Sequence, residues 1–213
     1  MLTRGHTTDN QRAINIILGR HLIMENPIWF NDFDRFWFLT WTSYGQWLPG
    51  EEKGFVSNKF EHGIRESKNN VPGTPYDSDF SDLKAYSQGL LKTEPILLSY
   101  QKAVLIHEQF EETASFHNWR VIACSIMVNH IHLLVGVLGD PEPKDLLQKF
   151  KSYASRKLNQ NYPNLDKGRW WTAGGSYRKI DTENSFKRCI EYILTQNAPL
   201  TQWHAQLKYD YRI

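Results

Sequence analysis

Cysteine is scarce in this sequence, since Cys124 and Cys189 are the only two thiols among 213 residues. Two thiols are too few for the disulfide framework of a small secreted fold or for a cysteine-rich zinc site, so we expect a reducing compartment. Long apolar runs are missing as well: stretches such as 133–138 are far shorter than the ~20 residues of a membrane-spanning helix. The first residues also lack the charged and apolar regions of an export signal. These absences predict a cytoplasmic protein.

A large excess of one charge is absent too, since 25 Lys and Arg residues stand against 23 Asp and Glu residues. The charges are nevertheless unevenly spread. Residues 1–143 hold 12 basic and 17 acidic residues, a net charge of −5, whereas residues 144–213 hold 13 and 6, a net charge of +7. The basic last third predicts a surface that faces a polyanion such as nucleic acid. The alternative is a solvated surface whose charge is uneven by chance.

Apolar residues make up 40% of the chain and aromatic residues 14%, which is enough for a folded core. The hydrophobic patterns predict strands at 36–42, 119–127, 131–138 and 176–180, and helices at 95–118, 143–159 and 183–197. This order is typical of an α+β fold, and we predict a ferredoxin-like or RRM-like antiparallel sheet with helices packed on it. We expect a single domain at 31–213 with a loop-rich insertion at about 49–95, after an N-terminal extension (1–30) in which 10–24 can form a helix.

Two histidines, His130 and His132, stand at the start of the strand predicted at 131–138. Residues i and i+2 of a strand point to the same face, so both imidazoles converge while Ile131 and Leu133 point the other way. Two converging imidazoles are a good start for a divalent-metal site, and a third ligand must then come from elsewhere. The alternative is a pair of unrelated histidines on a half-exposed strand.

The last predicted helix places two polar side chains beside its apolar stripe, which consists of Phe186, Ile190, Ile193 and Leu194. At ~100° per residue, Tyr192 lies roughly 145° and Gln196 roughly 105° from the centre of that stripe. The two residues are one turn apart, so a phenol hydroxyl and an amide oxygen can act at one site. The alternative is an ordinary surface tyrosine.

Basic and aromatic residues alternate through the last third of the chain. This mixture suits a flexible single strand of nucleic acid, because cations follow the phosphates and rings stack on the bases. The residues predicted to contact it are Lys149, Lys151, Arg156, Lys157, Arg169, Trp170, Trp171, Arg178, Lys179 and Arg188. The alternative is a solvated helix face accompanied by tryptophans that fill the core.

Several blocks of the sequence resemble the single-tyrosine HUH transposases. Residues 129–135 (NHIHLLV) resemble the HUH signature, and residues 169–176 (RWWTAGGS) followed by 192–196 (YILTQ) resemble the later block of that family. Residues 38–50 (FLTWTSYGQWLPG) resemble the opening strand of the REP-associated transposase-like branch. The blocks stand in family order and extend over roughly residues 33–200.

The resemblance implies a nucleoid-associated enzyme that acts on single-stranded or hairpin DNA, often as a homodimer. It implies that His130 and His132 hold Mg²⁺ or Mn²⁺ with Gln196 as the third ligand, and that Tyr192 is the nucleophile. Many relatives have Asn-Pro one turn after the tyrosine, where this sequence has Gln196, so the third ligand stays open between Gln196 and Asn197. The implied product is a 5′-phosphotyrosine with a free 3′-OH, and rejoining needs no ATP because the linkage keeps the phosphodiester energy.

Three alternatives compete with this interpretation. Tyr153 is a rival nucleophile, about 90° from the stripe centre of the basic helix. A histidine-nucleophile nucleotide hydrolase alternates three histidines with apolar residues, but Leu134 stands in the third place. A domesticated, non-catalytic DNA-hairpin-binding protein would keep the fold without the chemistry, and the presence of both histidines and Tyr192 argues against it.

Overall fold

The computed structural model describes residues 30–48, 81–162 and 169–205. A short 3-10 turn (Phe30–Asp32) leads into β1 (Arg35–Thr42). The remaining elements are α1 (Ser81–Gly89), α2 (Tyr100–Phe116), β2 (Arg120–Ile126), β3 (His130–Val137), α3 (Pro143–Asn161), β4 (Ser176–Ile180), α4 (Glu183–Leu194) and β5 (Thr201–His204). The predicted extension and its helix at 10–24, and residues 49–80 of the predicted insertion, lie outside the described residues. Within the described ranges, no helix is long and apolar enough to cross a membrane.

The five strands form one antiparallel sheet in the order β4-β1-β3-β2-β5. The first four strands have the connectivity and spatial order of a ferredoxin-like fold, in which β3 lies between β1 and β2 and β4 lies outside β1. β5 extends this sheet beyond β2. The predicted α+β fold class is therefore confirmed, and the four predicted strands agree with the observed ones to within one residue at each end.

Side chains on β1 alternate between the two faces of the sheet. Trp41 points to the face that α2 and α3 cover, where its ring centroid lies 5.6 Å from that of Phe110 on α2. Phe36 points to the opposite face, where its ring lies 4.6 Å from that of Phe186 on α4. α4 thus packs on one face of the sheet and the basic helix α3 on the other.

Two helix ends differ most from the prediction, the start of α2 and the end of α4. α2 begins after Ser99, whose hydroxyl accepts a hydrogen bond from the backbone N–H of Lys102, rather than at residue 95. α4 ends at Leu194 rather than at residue 197, and the chain turns at Ala198, which has a φ of 50°. This turn directs β5 back to β2. Neither β5 nor α1 was predicted, and α1 lies inside the segment predicted to be loop-rich.

Trp170 and Trp171 are core residues. Their exposed fractions are 2% and 6%. The indole N–H of Trp170 donates to the side-chain oxygen of Asn159 (2.7 Å), and that of Trp171 donates to the carbonyl of Lys151 (2.9 Å). The prediction that these two rings stack on nucleic-acid bases is wrong, because neither ring has a face open to a base, and the core alternative holds.

Replacing Trp170 with alanine should lower the free energy of unfolding by about 3–5 kcal/mol, because a fully buried ring and its hydrogen bond are lost. Urea unfolding measures the change. Phe116→Ala, at a ring that is 76% exposed, is the matched control and should stay within about 0.5 kcal/mol of the parent. A Trp170→Ala variant with parental stability and weakened nucleic-acid binding would contradict the core position.

Candidate active site

His130 and His132 lie side by side on the face of the sheet that α4 covers. Their ring centroids are 4.9 Å apart, as the two-residue period of a strand requires. The register of β1 and β3 places Thr42 beside His130 and Thr40 beside His132. His132 is buried, with 4% of its surface exposed, and His130 is half-buried. The predicted convergence of the two imidazoles is therefore present in the fold.

Each histidine has a polar atom within hydrogen-bond distance of its Nδ1. Nδ1 of His130 lies 2.7 Å from Oδ1 of Asn129, and Nδ1 of His132 lies 2.9 Å from Oγ1 of Thr40. Burial, and then the neighbouring His130, lower the pKa of His132 to about 4. His132 is therefore neutral near pH 7, which is the form of imidazole that binds metals.

Tyr192 extends from α4 to the same place. Its ring centroid lies 5.2 Å from that of His132, in an edge-to-face arrangement, and the side chain is 49% exposed. The phenol is therefore in contact with His132 and open to a large ligand. The rival Tyr153 lies on α3, on the other side of the sheet, where Arg156 sits over its ring.

Phe38, which the motif analysis did not single out, connects the parts of the site. Its ring stacks on that of His132 with centroids 5.5 Å apart and meets that of Tyr192 edge to face at 5.9 Å. The guanidinium carbon of Arg178 lies 5.4 Å from the centroid of the Phe38 ring. Phe38 thus places a cation from β4 beside the tyrosine and the buried histidine.

Gln196 lies beyond the end of α4, not on it as predicted. Its side-chain nitrogen donates to the carbonyl of Tyr192 (2.9 Å), which keeps it one turn from the tyrosine. Asn197, the other predicted ligand, is exposed. Among the described residues, no three His, Cys, Asp or Glu side chains form a group that could hold a metal ion. The ligand roles of Gln196 and Asn197 stay predictions.

The ring nitrogens of the histidine pair are suitable ligands for a divalent metal. Both rings converge on one face, His132 is neutral near pH 7, and each Nδ1 has a polar neighbour of the kind that orients metal-bound histidines. Imidazole suits several transition metals, whereas Mg²⁺ and Mn²⁺ prefer oxygen ligands. An amide oxygen from Gln196 or Asn197 and oxygen atoms of a bound phosphate would complete such a set.

The predicted nucleic-acid-binding residues fall into two groups on opposite sides of the sheet. Arg178 lies at the site, and Arg188 is exposed on α4 one turn before Tyr192. The others lie on α3 or on the segments that adjoin its face, and several have contacts within the protein. Lys149 lies over the ring of Trp119, and Lys179 pairs with Asp181 at 2.8 Å.

Lys151 is the most constrained of these cations. Its ammonium group donates to the carbonyls of Thr172 and Gly174, and burial lowers its pKa to about 8. It therefore holds the segment that carries Trp171 against α3. Beside it, α3 and residues 169–174 enclose a groove of about 600 Å³ whose lining includes Lys144 and Arg169. Arg156 is exposed and Lys157 half-buried on the same helix.

Sequence reasoning missed Thr40, Asn129 and Trp47 as neighbours of the histidines. Trp47 is 50% exposed, has a φ of 54°, and its ring centroid lies 5.5 Å from that of His130. For Asn129, the one signal in the sequence was that this polar residue directly precedes His130. Thr40 and Trp47 are linked to the histidines only through the pairing of β1 with β3, which single-sequence patterns do not give.

Comparison with known proteins finds one matching family and several similar solved structures. Residues 91–196 match the family described as IS200-like transposase, a range that contains both histidines, Tyr192 and Gln196. Similar solved structures include a REP-associated tyrosine transposase bound to a REP hairpin, with 9% identity, a TM-score of 0.43, and 80% of this chain and 70% of the other covered. A protein described as a transposase of Deinococcus radiodurans has 15% identity and a TM-score of 0.38, with 82% and 99% covered. No curated protein matches the chain.

Proposed function

Residues 91–196 belong to the IS200-like transposase family, and from this premise we propose that the protein cuts and rejoins single-stranded DNA with Tyr192 as the nucleophile. The observation that carries the proposal is the contact of the half-exposed Tyr192 ring with His132, 5.2 Å between centroids. This contact brings a nucleophile and a metal-binding type of residue together on one face of the sheet.

The proposed reaction is a transesterification at phosphorus. The Tyr192 hydroxyl oxygen bonds to the phosphorus, the bond to the 3′-oxygen breaks, and the phenol proton is released while the 3′-oxygen gains one. The products are a 5′-phosphotyrosine and a free 3′-OH. Because the new linkage keeps the energy of the old one, attack by a 3′-OH reverses the step and joins strands without ATP.

His130 and His132 would hold Mg²⁺ or Mn²⁺, with Gln196 or Asn197 as a further ligand. When bound, such an ion supplies charge neutralisation at the phosphate and stabilises the departing 3′-oxygen. Arg178 would attract the phosphate towards Tyr192, since its guanidinium lies over Phe38, which touches both Tyr192 and His132.

The proposed DNA partner is supported by the family and by charge. The net charge of +7 in residues 144–213 provides cations on both sides of the sheet, at Arg178 and Arg188 near Tyr192 and along α3. From the resemblance and the sequence pattern we also propose hairpin-bearing DNA ends as substrate, a homodimer, association with the nucleoid, and one domain over 31–213. The competing function is a DNA-hairpin-binding protein without catalysis.

Tyr192→Phe should reduce strand cleavage to background in an assay with a single-stranded oligonucleotide library, Mg²⁺ or Mn²⁺ and denaturing gels. The variant removes one oxygen from a half-exposed ring, so the fold should hold. Tyr153→Phe is the matched control and should cleave at the parental rate. Cleavage that survives Tyr192→Phe and is lost in Tyr153→Phe would contradict the assignment. A parent protein that binds hairpins but cuts no strand would support the non-catalytic alternative.

A further inference from the structure

We propose that Asn129 is a positioning residue of the histidine pair: its side-chain oxygen fixes the tautomer and the orientation of His130. The inference rests on the proposed function, because it concerns the nitrogen that His130 would offer to a metal. The contact that carries it joins Oδ1 of Asn129 to Nδ1 of His130 at 2.7 Å.

An amide oxygen only accepts hydrogen bonds, so in this contact the proton must be on Nδ1 of His130. A neutral imidazole with its proton on Nδ1 has its lone pair on Nε2. A water molecule or a flexible side chain would hold such a ring weakly, whereas a fixed acceptor selects one tautomer and one ring direction. Partners of this kind orient the histidines of many metal sites.

The backbone of Asn129 is itself held in place, which makes its side chain a fixed acceptor. Its carbonyl accepts hydrogen bonds from the backbone N–H of Ser43 (2.9 Å) and from the Ser43 hydroxyl (3.2 Å). Ser43 is fully buried, and its hydroxyl also lies 2.6 Å from the carbonyl of Ile96. The start of β3 is thereby anchored to the end of β1 at the residue that orients His130.

Nitrogen-15 NMR of the metal-free protein reports directly which ring nitrogen carries the proton. In the parent protein and in Asn129→Asp, which keeps an acceptor, we expect the proton of His130 on Nδ1. In Asn129→Leu, which keeps the size but not the acceptor, the second tautomer should appear. Asn161→Leu, at an exposed asparagine at the end of α3, is the control and should change nothing.

A titration with Mn²⁺, followed by paramagnetic broadening of the His130 and His132 ring signals, gives a second readout. Affinity should fall about 10- to 100-fold in Asn129→Leu and be retained in Asn129→Asp. A single unchanged tautomer in Asn129→Leu would overturn this inference alone. Absence of Mn²⁺ broadening in the parent protein would instead count against the proposed metal-dependent function, and the tautomer readout would still decide the role of Asn129.

A separate observation concerns Trp47, and we infer that its ring is a stacking platform for a DNA base next to the cleaved phosphate. This inference also rests on the proposed function. The ring is 50% exposed and its centroid lies 5.5 Å from that of His130, at the rim of the site. Exposed aromatic rings bind unpaired bases because every base has a π-face on which a ring can stack.

The backbone holds Trp47 in this position at a conformational cost. Its φ of 54° is in the left-handed region, which non-glycine residues seldom adopt and which is frequent at ligand sites. The turn before it is closed by a hydrogen bond from the N–H of Gln46 to the carbonyl of Ser43 (3.3 Å). Ser43 is the residue bound to Asn129, so the ring and the histidine share one anchor.

A base-removal scan tests this role in the non-cleaving Tyr192→Phe background. For an oligonucleotide that the parent cleaves, removing one base beside the scissile phosphate should weaken binding about 5- to 150-fold. When Trp47→Ala is added to this background, the affinity for the intact strand should fall by a similar factor. Removal of the same base should then cause no further loss of affinity. Phe116→Ala, at another exposed ring, is the control and should behave like the parent.

If each missing base causes the same loss of affinity in the protein with Trp47 and in the Trp47→Ala variant, the stacking role is overturned. A Trp47→Ala variant that binds the intact strand with parental affinity would overturn it too. Failure of the parent protein to bind any single strand would refute the proposed function as well, whereas binding without the Trp47 effect refutes only this inference.

Discussion

The antiparallel pairing of β1 with β3 determines the rest of the site. These two central strands place Leu39 and Trp41 on one face with Ile131 and Leu133, and Phe38 and Thr40 on the other with His132. A register shift of one residue would move both imidazoles into the core beneath α2 and α3. The same pairing fixes both the apolar core and the polar face on which the histidines lie.

His132 shows how the fold carries a polar group at the edge of its core. Burying a neutral imidazole is costly unless it is hydrogen-bonded, and Thr40 supplies that partner from the neighbouring strand. Phe38 covers one face of the ring, and Tyr192 meets it from the side. These contacts hold the imidazole in a fixed position, and burial keeps it neutral near pH 7, two properties that a metal ligand requires.

The strands and the convergence of the histidines could be predicted because both follow from a two-residue period. The fate of Trp170 and Trp171 could not, since a tryptophan beside cations suits a base-binding surface and a core equally well. Their burial depends on α3 contacts such as the hydrogen bond to Asn159. The extent of α4 was overestimated because the apolar stripe does not reveal the turn at Ala198. β5 has one buried residue, Trp203, and so lacked an alternating pattern.

α3 lies on the opposite side of the sheet from Tyr192, which divides the positive charge of the basic last third between two faces. The described cations of this third do not form one surface around Tyr192, since the sheet lies between α3 and α4. Of the described cations predicted to bind DNA, Arg178 and Arg188 are the two on the Tyr192 side of the sheet. Among the cations of α3, Lys151 braces the segment 169–174 and Lys144 lines a distinct groove, whereas Lys149 and Arg156 lie over the rings of Trp119 and Tyr153.

The proposed reaction joins Tyr192 to DNA beside the histidine pair. Mass spectrometry of tryptic peptides, after incubation with a single strand and Mg²⁺ or Mn²⁺, locates the linkage directly. We expect a nucleotide attached through its 5′-phosphate to Tyr192, on the peptide that follows Arg188. A nucleotide attached to Tyr153, or cleaved DNA with no tyrosine adduct, would contradict the proposed reaction.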